Sequence, residues 1–477
     1  MKIWRTLLFA IVAVSLGLYI WLVEKPRMTA EAEPDKLVKF DPARVAKLHI
    51  AYPEPPNLTL VKEKDDWRLT EPLPVDADDE AVKRLLDQIV NTNAERRIAK
   101  ADAEELGAYG LAANGTRARV SIVLDDGSAI PDIVVGNTTP VGFQAFAHVD
   151  GKDDVILVPL LLHTGIKKTP FDLREKKLFT IEPVNATGAK LTSAAGMIEL
   201  SRAGDRWKIT GPIQDEADPD QVGSLLRSLN EMTAEAYYDG AEVDRQKFGL
   251  TAPSLTFQAQ FGDGSVAGFR LGAKTTEAPP GYYLERTSDG QVATVPEWVQ
   301  VRFAQNVNAL RDKRVFHCEQ NDVGKMSFER SDGAGFAISK TESGWQIEPT
   351  QDRPVRNAVA DRLLAGLVTL AGKEIVAESA DTPDELAPYG LDAPGVEVEV
   401  TTKAGQSCGR VLGASVGEAA TNPTFFIKRA DTGTVMSVPA YLYSRLNMRS
   451  HDVLEPKKEP AATPSQSGQA PPEATHP

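Results

Sequence analysis

The residues with the clearest claim to chemistry lie near the carboxy-terminal end. Gly413-Ala414-Ser415-Val416-Gly417 matches the pattern that presents a nucleophilic serine, and Asp431 and His451 follow in the order such a serine needs. That chemistry requires a sharp strand-to-helix turn that exposes the hydroxyl. Here the residues after Gly417 read as a turn and then a strand, Phe425 to Lys428. Gly413 also aligns with Gly136 and Gly272, which are followed by Asn137-Thr138 and Ala273-Lys274 with no serine. The stretch therefore reads as part of a hairpin, and no catalytic residue is expected.

Other reactive groups are scattered. The six histidines, His49, His148, His163, His317, His451 and His476, show no metal-ligand spacing. Asp125-Asp126 and Asp153-Asp154 lack the loop spacing that supplies calcium with its oxygens, and aspartate in hairpin turns serves local hydrogen bonding. Neither a phosphate-cradling P-loop nor a dinucleotide glycine fingerprint is present, so no metal or cofactor is expected. The formal charge of −14 disfavours nucleic acid, which needs clustered basic groups. Cys318 and Cys408 allow one disulfide, and they equally allow two buried thiols.

The elements that position these residues are written three times. Trp67, Trp207 and Trp345 stand at one constant offset before a helix-facing apolar residue: Val82, Val222 and Ala360. Each of those opens an apolar face at helical period, as in Val82, Leu85, Leu86, Ile89 and Val90. Asp218-Pro219-Asp220-Gln221 supplies a helix cap, a proline at the first helical position and a glutamine at the capping-box position. An aromatic-Gly-Leu triplet follows each helix: Tyr109-Gly110-Leu111, Phe248-Gly249-Leu250 and Tyr389-Gly390-Leu391. The constant offset from tryptophan to helix predicts that each tryptophan packs beneath its own helix. A left-handed glycine ending a helical turn explains the triplets. Short alternating strands at hairpin spacing surround these landmarks, including Ala46–Tyr52, Leu58–Lys64, Arg117–Leu124, Ile130–Val135, Gln144–Val149 and Val155–Val158.

Each copy closes on a basic segment: Leu173-Arg174-Glu175-Lys176, Leu310-Arg311-Asp312-Lys313 and Met448-Arg449. The arginines Arg174, Arg311 and Arg449 stand at similar separations from the triplet glycines Gly110, Gly249 and Gly390, the third separation being the shortest. They are read as junction residues that pair with a carboxylate or cap carbonyls. They are also the candidates for partner binding.

Residues 4–23 are apolar apart from Arg5, Thr6 and Ser15, long enough to span a bilayer. Lys2 and Arg5 favour an inside amino terminus, and Tyr19 and Trp21 stand where interfacial aromatics are expected. Ala30-Glu31-Ala32 resembles a signal-peptide cleavage site, but the apolar run exceeds a signal core and charges separate it from that site. An uncleaved anchor is the preferred reading, with the remaining chain outside the cytoplasm.

The succession of tryptophan before proline, amphipathic helix, aromatic-Gly-Leu, Gly-terminated strand and Arg-Asp-Lys close resembles the domain-of-unknown-function family 4340. The resemblance covers nearly all of residues 40–454, three times over. It implies a bacterial envelope protein with one amino-terminal transmembrane helix, some members being auxiliary to ABC-type export systems, gliding-motility transporters among them. It implies no catalytic residues. In the third copy the close, Met448-Arg449-Ser450-His451-Asp452, departs from the pattern.

The expected fold class is α+β: a transmembrane helix, then three tandem repeats of a mostly antiparallel sheet with an amphipathic helix, then a disordered tail. The divisions are 1–23 (cytoplasmic start and anchor), 24–40 (linker), 41–180, 181–316 and 317–454 (repeats) and 455–477 (tail). The expected function is a membrane-anchored periplasmic scaffold or binding protein, with protein partners in the envelope such as ABC transporter subunits. The alternative is an envelope enzyme or a protein that binds glycan or cell-wall material.

Overall fold

The computed structural model describes residue 15 and residues 35–54, 56–99, 106–112, 117–276, 279–417 and 423–456. Apart from Ser15, the expected anchor lies outside the described residues, as do residues 24–34 and 457–477. Among the described residues no helix is long and apolar enough to cross a membrane. The chain divides into two compact units, one of Met1–Ile181, Ser228–Ser254 and Ala267–Gln300, the other of Glu182–Arg227, Leu255–Val266 and Val301–Pro477. The division falls inside the second repeat.

The first unit contains a nine-stranded sheet. Its strands are β1 (Val45–Ala51), β2 (Leu58–Glu63), β3 (Asp66–Glu71), β4 (Val75–Asp76), β5 (Arg96–Ile98), β6 (Ala118–Leu124), β7 (Ala129–Thr138), β8 (Gln144–Val149) and β9 (Val155–Pro159). Their order is β4-β3-β2-β1-β6-β7-β8-β9-β5, and every pairing is antiparallel. Alternation dictates the faces. In β6 the residues Ala118, Val120, Ile122 and Leu124 are buried and those between are not, because successive side chains point to opposite faces.

The helix Asp79–Asn91 covers this sheet with Val82, Leu85, Leu86 and Ile89. Each fully buried side chain of this kind contributes about 1.5–3 kcal/mol. Asp78 caps it by accepting from Ala81 N at 2.9 Å, and Asp79 Oδ1 accepts from Trp67 N at 2.7 Å. The tryptophan strand and the helix start are thus tied together, and Trp67 shares one core with the apolar face of its helix, as the constant offset predicts. Leu37 and Val38, assigned by composition to the linker, are buried in the same core, and Leu37 N donates to Thr92 O at 3.0 Å.

The second repeat contributes to both units. In the second unit lie β10 (Ala186–Ser193), β11 (Gly196–Ala203), β12 (Arg206–Gly211), β13 (Asp215–Glu216) and β15 (Leu255–Phe261), in the order β13-β12-β11-β10-β15. In the first lie β14 (Ala236–Tyr238), β16 (Val266–Lys274) from Ala267 onward, β17 (Gly281–Arg286) and β18 (Val292–Pro296), in the order β16-β17-β18-β14. The helix Pro219–Glu231 begins at the expected proline. Asp218 accepts from Asp220 N and Gln221 N at 2.9 and 3.2 Å.

The third repeat lies in the second unit. Its eight strands are β19 (Val323–Arg330), β20 (Phe336–Thr341), β21 (Gly344–Glu348), β22 (Glu374–Ala377), β23 (Val396–Thr402), β24 (Ser407–Val416), β25 (Thr424–Arg429) and β26 (Val435–Val438). The order is β21-β20-β19-β23-β24-β25-β26-β22, the order of the first sheet without its terminal two-residue strand. The helix Asn357–Val368 buries Ala360, Leu363, Leu364 and Leu367. Trp67, Trp207 and Trp345 are all buried.

Gly110, Gly249 and Gly390 adopt φ of 70°, 70° and 66°, the left-handed conformation expected of the triplets. Gly136 and Gly272 explain the other recurring glycine. A Cβ there would lie 2.3 Å from Tyr109 O and 2.1 Å from Phe248 O. Their absence of a side chain lets Asn137 N and Ala273 N donate to those carbonyls at 2.8 Å. A Glu-Pro or Gly-Pro peptide is cis in every repeat, at Glu71-Pro72, Gly211-Pro212 and Glu348-Pro349.

Candidate functional site: the repeat junctions

Among the described residues, Arg174, Arg311 and Asp312 are buried charged side chains that lie where one repeat hands over to the next. At the first junction, in the first unit, the short helix Pro170–Leu173 is closed by a capping box between Thr169 and Asp172 and delivers Arg174. Arg174 is only 5% exposed. Its guanidinium meets Asp239 Oδ2 at 2.7 Å and Gln291 Oε1 at 2.6 Å, and lies 3.7 Å over the Tyr237 ring. Tyr237 Oη donates to Glu175 O at 2.8 Å. Burial pushes its phenol up to about 12, although Arg174 and Arg286 pull the other way. A polar cleft of about 390 Å³ opens here, between Arg68, Asp76, Arg174, Tyr237, Arg286 and Asp289.

The second junction, in the second unit, repeats the design. Arg311 follows the helix Val307–Leu310 and is 6% exposed. Its Nη1 lies 2.6 Å from Glu378 Oε2 and its Nε 2.6 Å from Asp215 Oδ2. Asp239 and Glu378 hold the same place, immediately after the edge strands β14 and β22. The neighbouring Asp312 is buried and accepts from Arg314 N and its guanidinium at 2.9 and 2.6 Å. Burial opposes its ionisation, but the Arg314 bonds outweigh burial and hold the carboxyl below the usual range. His317 lies 3.7 Å from Asp312. Burial lowers the imidazole's pKa, Asp312 acts in the opposite sense, and Nε2 has no hydrogen-bond partner among the described residues. A cleft of about 930 Å³ adjoins these groups and reaches Trp207, Cys408 and Arg429.

The backbone hydrogen bonds fix which residues correspond. Ala77 pairs with Arg174, Ala217 with Arg311 and Val355 with Leu454. Glu175 N donates to Asp76 O, Asp312 N to Glu216 O and Glu455 N to Pro354 O. Leu454, and not Arg449, therefore occupies the junction position of the third copy. Arg449 instead precedes the helix Ser450–Val453, where Thr169 and Asn306 stand in the other copies. Its side chain is 48% exposed and meets Asp332 at 2.9 Å. The glycine spacing carries this signal, since Leu454 stands at the same separation from Gly390 as Arg174 does from Gly110. Matching arginine to arginine hides it.

The acceptor position is lost at the opposite end. Edge strand β5 is followed by Ala99 where Asp239 and Glu378 stand. The arginines of the first and second copies thus meet carboxylates of the second and third. A buried arginine without its carboxylate costs several kcal/mol. Leu454 in the third copy and Ala99 in the first copy put no charge at these positions.

After each junction an apolar pair enters the next core. Leu178 N donates to Met232 O and Val315 N to Leu370 O, as Leu37 N does to Thr92 O. The second handover is pinned by a disulfide between Cys318 and Cys408, whose Cα atoms are 5.4 Å apart. His317 N donates to Cys408 O beside it at 2.8 Å.

The other candidate residues serve local structure. Ser415 lies exposed within β24, where it pairs with Phe425, and the turn follows it. Asp431 is bound to Arg429 at 2.9 Å, and His451 lies 3.4 Å from its neighbour Asp452. Asp126 accepts from Ser128 in the β6–β7 turn and pairs with Arg44, while Asp154 pairs with Arg97. Among the described residues no three His, Cys, Asp or Glu side chains gather as a metal site would require.

Antiparallel sheets, a helix over each and charged handovers between copies define a tandem α+β repeat protein. The chain belongs to a family described as Domain of unknown function (DUF4340), whose model matches residues 67–244 and again 207–394. The two matches start at the equivalent tryptophans, Trp67 and Trp207. No curated protein matches the chain.

Proposed function

We propose that the protein is a non-catalytic binding or scaffold component of the bacterial cell envelope. Residues 4–23 anchor it in the inner membrane, the repeats stand outside the cytoplasm, and the partner is an ABC-type export system. The observation that carries this reading is how the buried polar groups are used. Arg174 and Arg311 direct their guanidiniums to carboxylates of the next repeat, which joins copies. The Cys318–Cys408 disulfide suits an oxidising compartment. Of the three arginines singled out by sequence, Arg449 alone presents its side chain to solvent for a partner.

The test is purification of the tagged full chain from native membranes after reversible crosslinking. Recovery of ATP-binding and permease subunits is expected. Recovery of the chain alone contradicts the reading.

A further inference from the structure

Specific function in a repeat protein belongs where the copies differ, and one difference is exposed. Val141 and Phe143 are 87% and 86% exposed, and Leu161 is 69% exposed. The three lie at one end of the first repeat. Leu160 N donates to Phe143 O at 2.8 Å, which seats the β7–β8 loop against the start of the helix Leu160–Gly165. Between Asp132 and Asp150 the chain has no Asp, Glu, Lys or Arg, so this loop carries no charged side chain. Large exposed apolar side chains brought together on a loop without charged residues mark an interaction surface. The second repeat differs in the loop, where residues 275–280 include Glu277 and no large apolar side chain, while Trp298 at the position of Leu161 is 36% exposed.

The tip also lies where the chain enters the repeat. Ala94 N donates to Asp35 O at 2.6 Å, and the adjacent Glu95 accepts from the side chain of Gln144, the residue after Phe143. Only the short segment 24–34 separates the apolar stretch from Asp35. Fully extended, it reaches at most about 40 Å. A bilayer holding residues 4–23 is therefore within reach of the tip.

We propose that Val141, Phe143 and Leu161 dock the first repeat onto the lipid surface of the membrane that anchors the chain. The proposal rests on the anchored reading above. The apolar side chains enter the boundary between headgroups and acyl chains, and the loop itself brings no charge into it. Tethering makes the contact intramolecular, so a small patch suffices.

The test uses the full chain with Phe143→Cys or Val141→Cys. The two native cysteines are paired, so the new thiol takes an environment-sensitive fluorophore. The labelled chain is reconstituted into phosphatidylcholine liposomes with and without nitroxide-bearing lipid. Flotation reads the anchor, and quenching reads docking. The expected result is a chain that floats, labels at 141 and 143 quenched about two-fold or more as burial at that boundary requires, and a label at Asp65→Cys, exposed in the β2–β3 turn at the opposite end of the same sheet, left unquenched. Labels at 141 and 143 that match Asp65→Cys in a floating chain overturn the proposal. So do labels shielded from water yet untouched by the nitroxide, which would mean a protein occupant. A chain that fails to float removes the anchor and this proposal together, and flotation identifies that case.

Discussion

Asp239→Ala should lower the stability of the first unit by about 3 kcal/mol or more, because it strands a buried guanidinium. The asymmetry of the pair decides the size. The Arg174 side chain is 6% exposed, whereas that of Asp239 is 36% exposed. Without Asp239, Arg174 keeps only Gln291 Oε1 and the Tyr237 ring. Arg174→Met removes the charge instead, and leaves a carboxylate that water reaches, at a cost of about 1–2 kcal/mol. The double variant should lose no more than Asp239→Ala alone, a coupling of about 2 kcal/mol in a double-mutant cycle. Denaturant midpoints of the four proteins measure this. An Asp239→Ala protein within about 0.5 kcal/mol of the parent, or strict additivity, contradicts a junction held by this pair.

The second large effect concerns the Cys318–Cys408 bridge. It closes a sequence separation of 90 residues. Loop-closure entropy for that length is worth about 4–5 kcal/mol. Cys318→Ala with Cys408→Ala should therefore lower the stability of the second unit by roughly that amount, and reductant should reproduce the shift in the parent. Alanine suits Cys408 better than serine, since the site is 5% exposed and a hydroxyl would be buried there. The bridge fastens the segment after Val315 and Phe316 to β24, so loss of protection from hydrogen exchange should concentrate at the second junction. A double variant with an unchanged midpoint would show that the bridge does not constrain the unfolded chain.

Much of the architecture is legible because long periodic segments carry their own signal. The helix beginning near Val82 and its two counterparts follow from an unbroken offset after each tryptophan and an apolar stripe. β8 has the bounds read from the sequence, and β6 and β9 differ from theirs by one residue. What escapes is short or long-range. Strands β4, β5, β13 and β14 have two or three residues, too few to show alternation. The carboxylates Asp239 and Glu378 are ordinary surface-type residues in the sequence, and only the fold brings them to an arginine far earlier in the chain. The disulfide stays open between two readings because sequence does not record a 5.4 Å approach. The equivalence of Leu454 with Arg174 is hidden by residue type, since the same backbone position holds leucine in the third copy and arginine in the other two.

The central claim is that the repeats stand outside the cytoplasm on a single anchor. Its most direct test places one new cysteine at Val301 or Tyr441, side chains that are 70% and 65% exposed. Cells with a permeabilised outer membrane and an intact inner membrane are then treated with a membrane-impermeant maleimide. Labelling at both positions before lysis is expected, on a chain that remains with the membrane fraction. Labelling that appears only after the inner membrane is broken would contradict it.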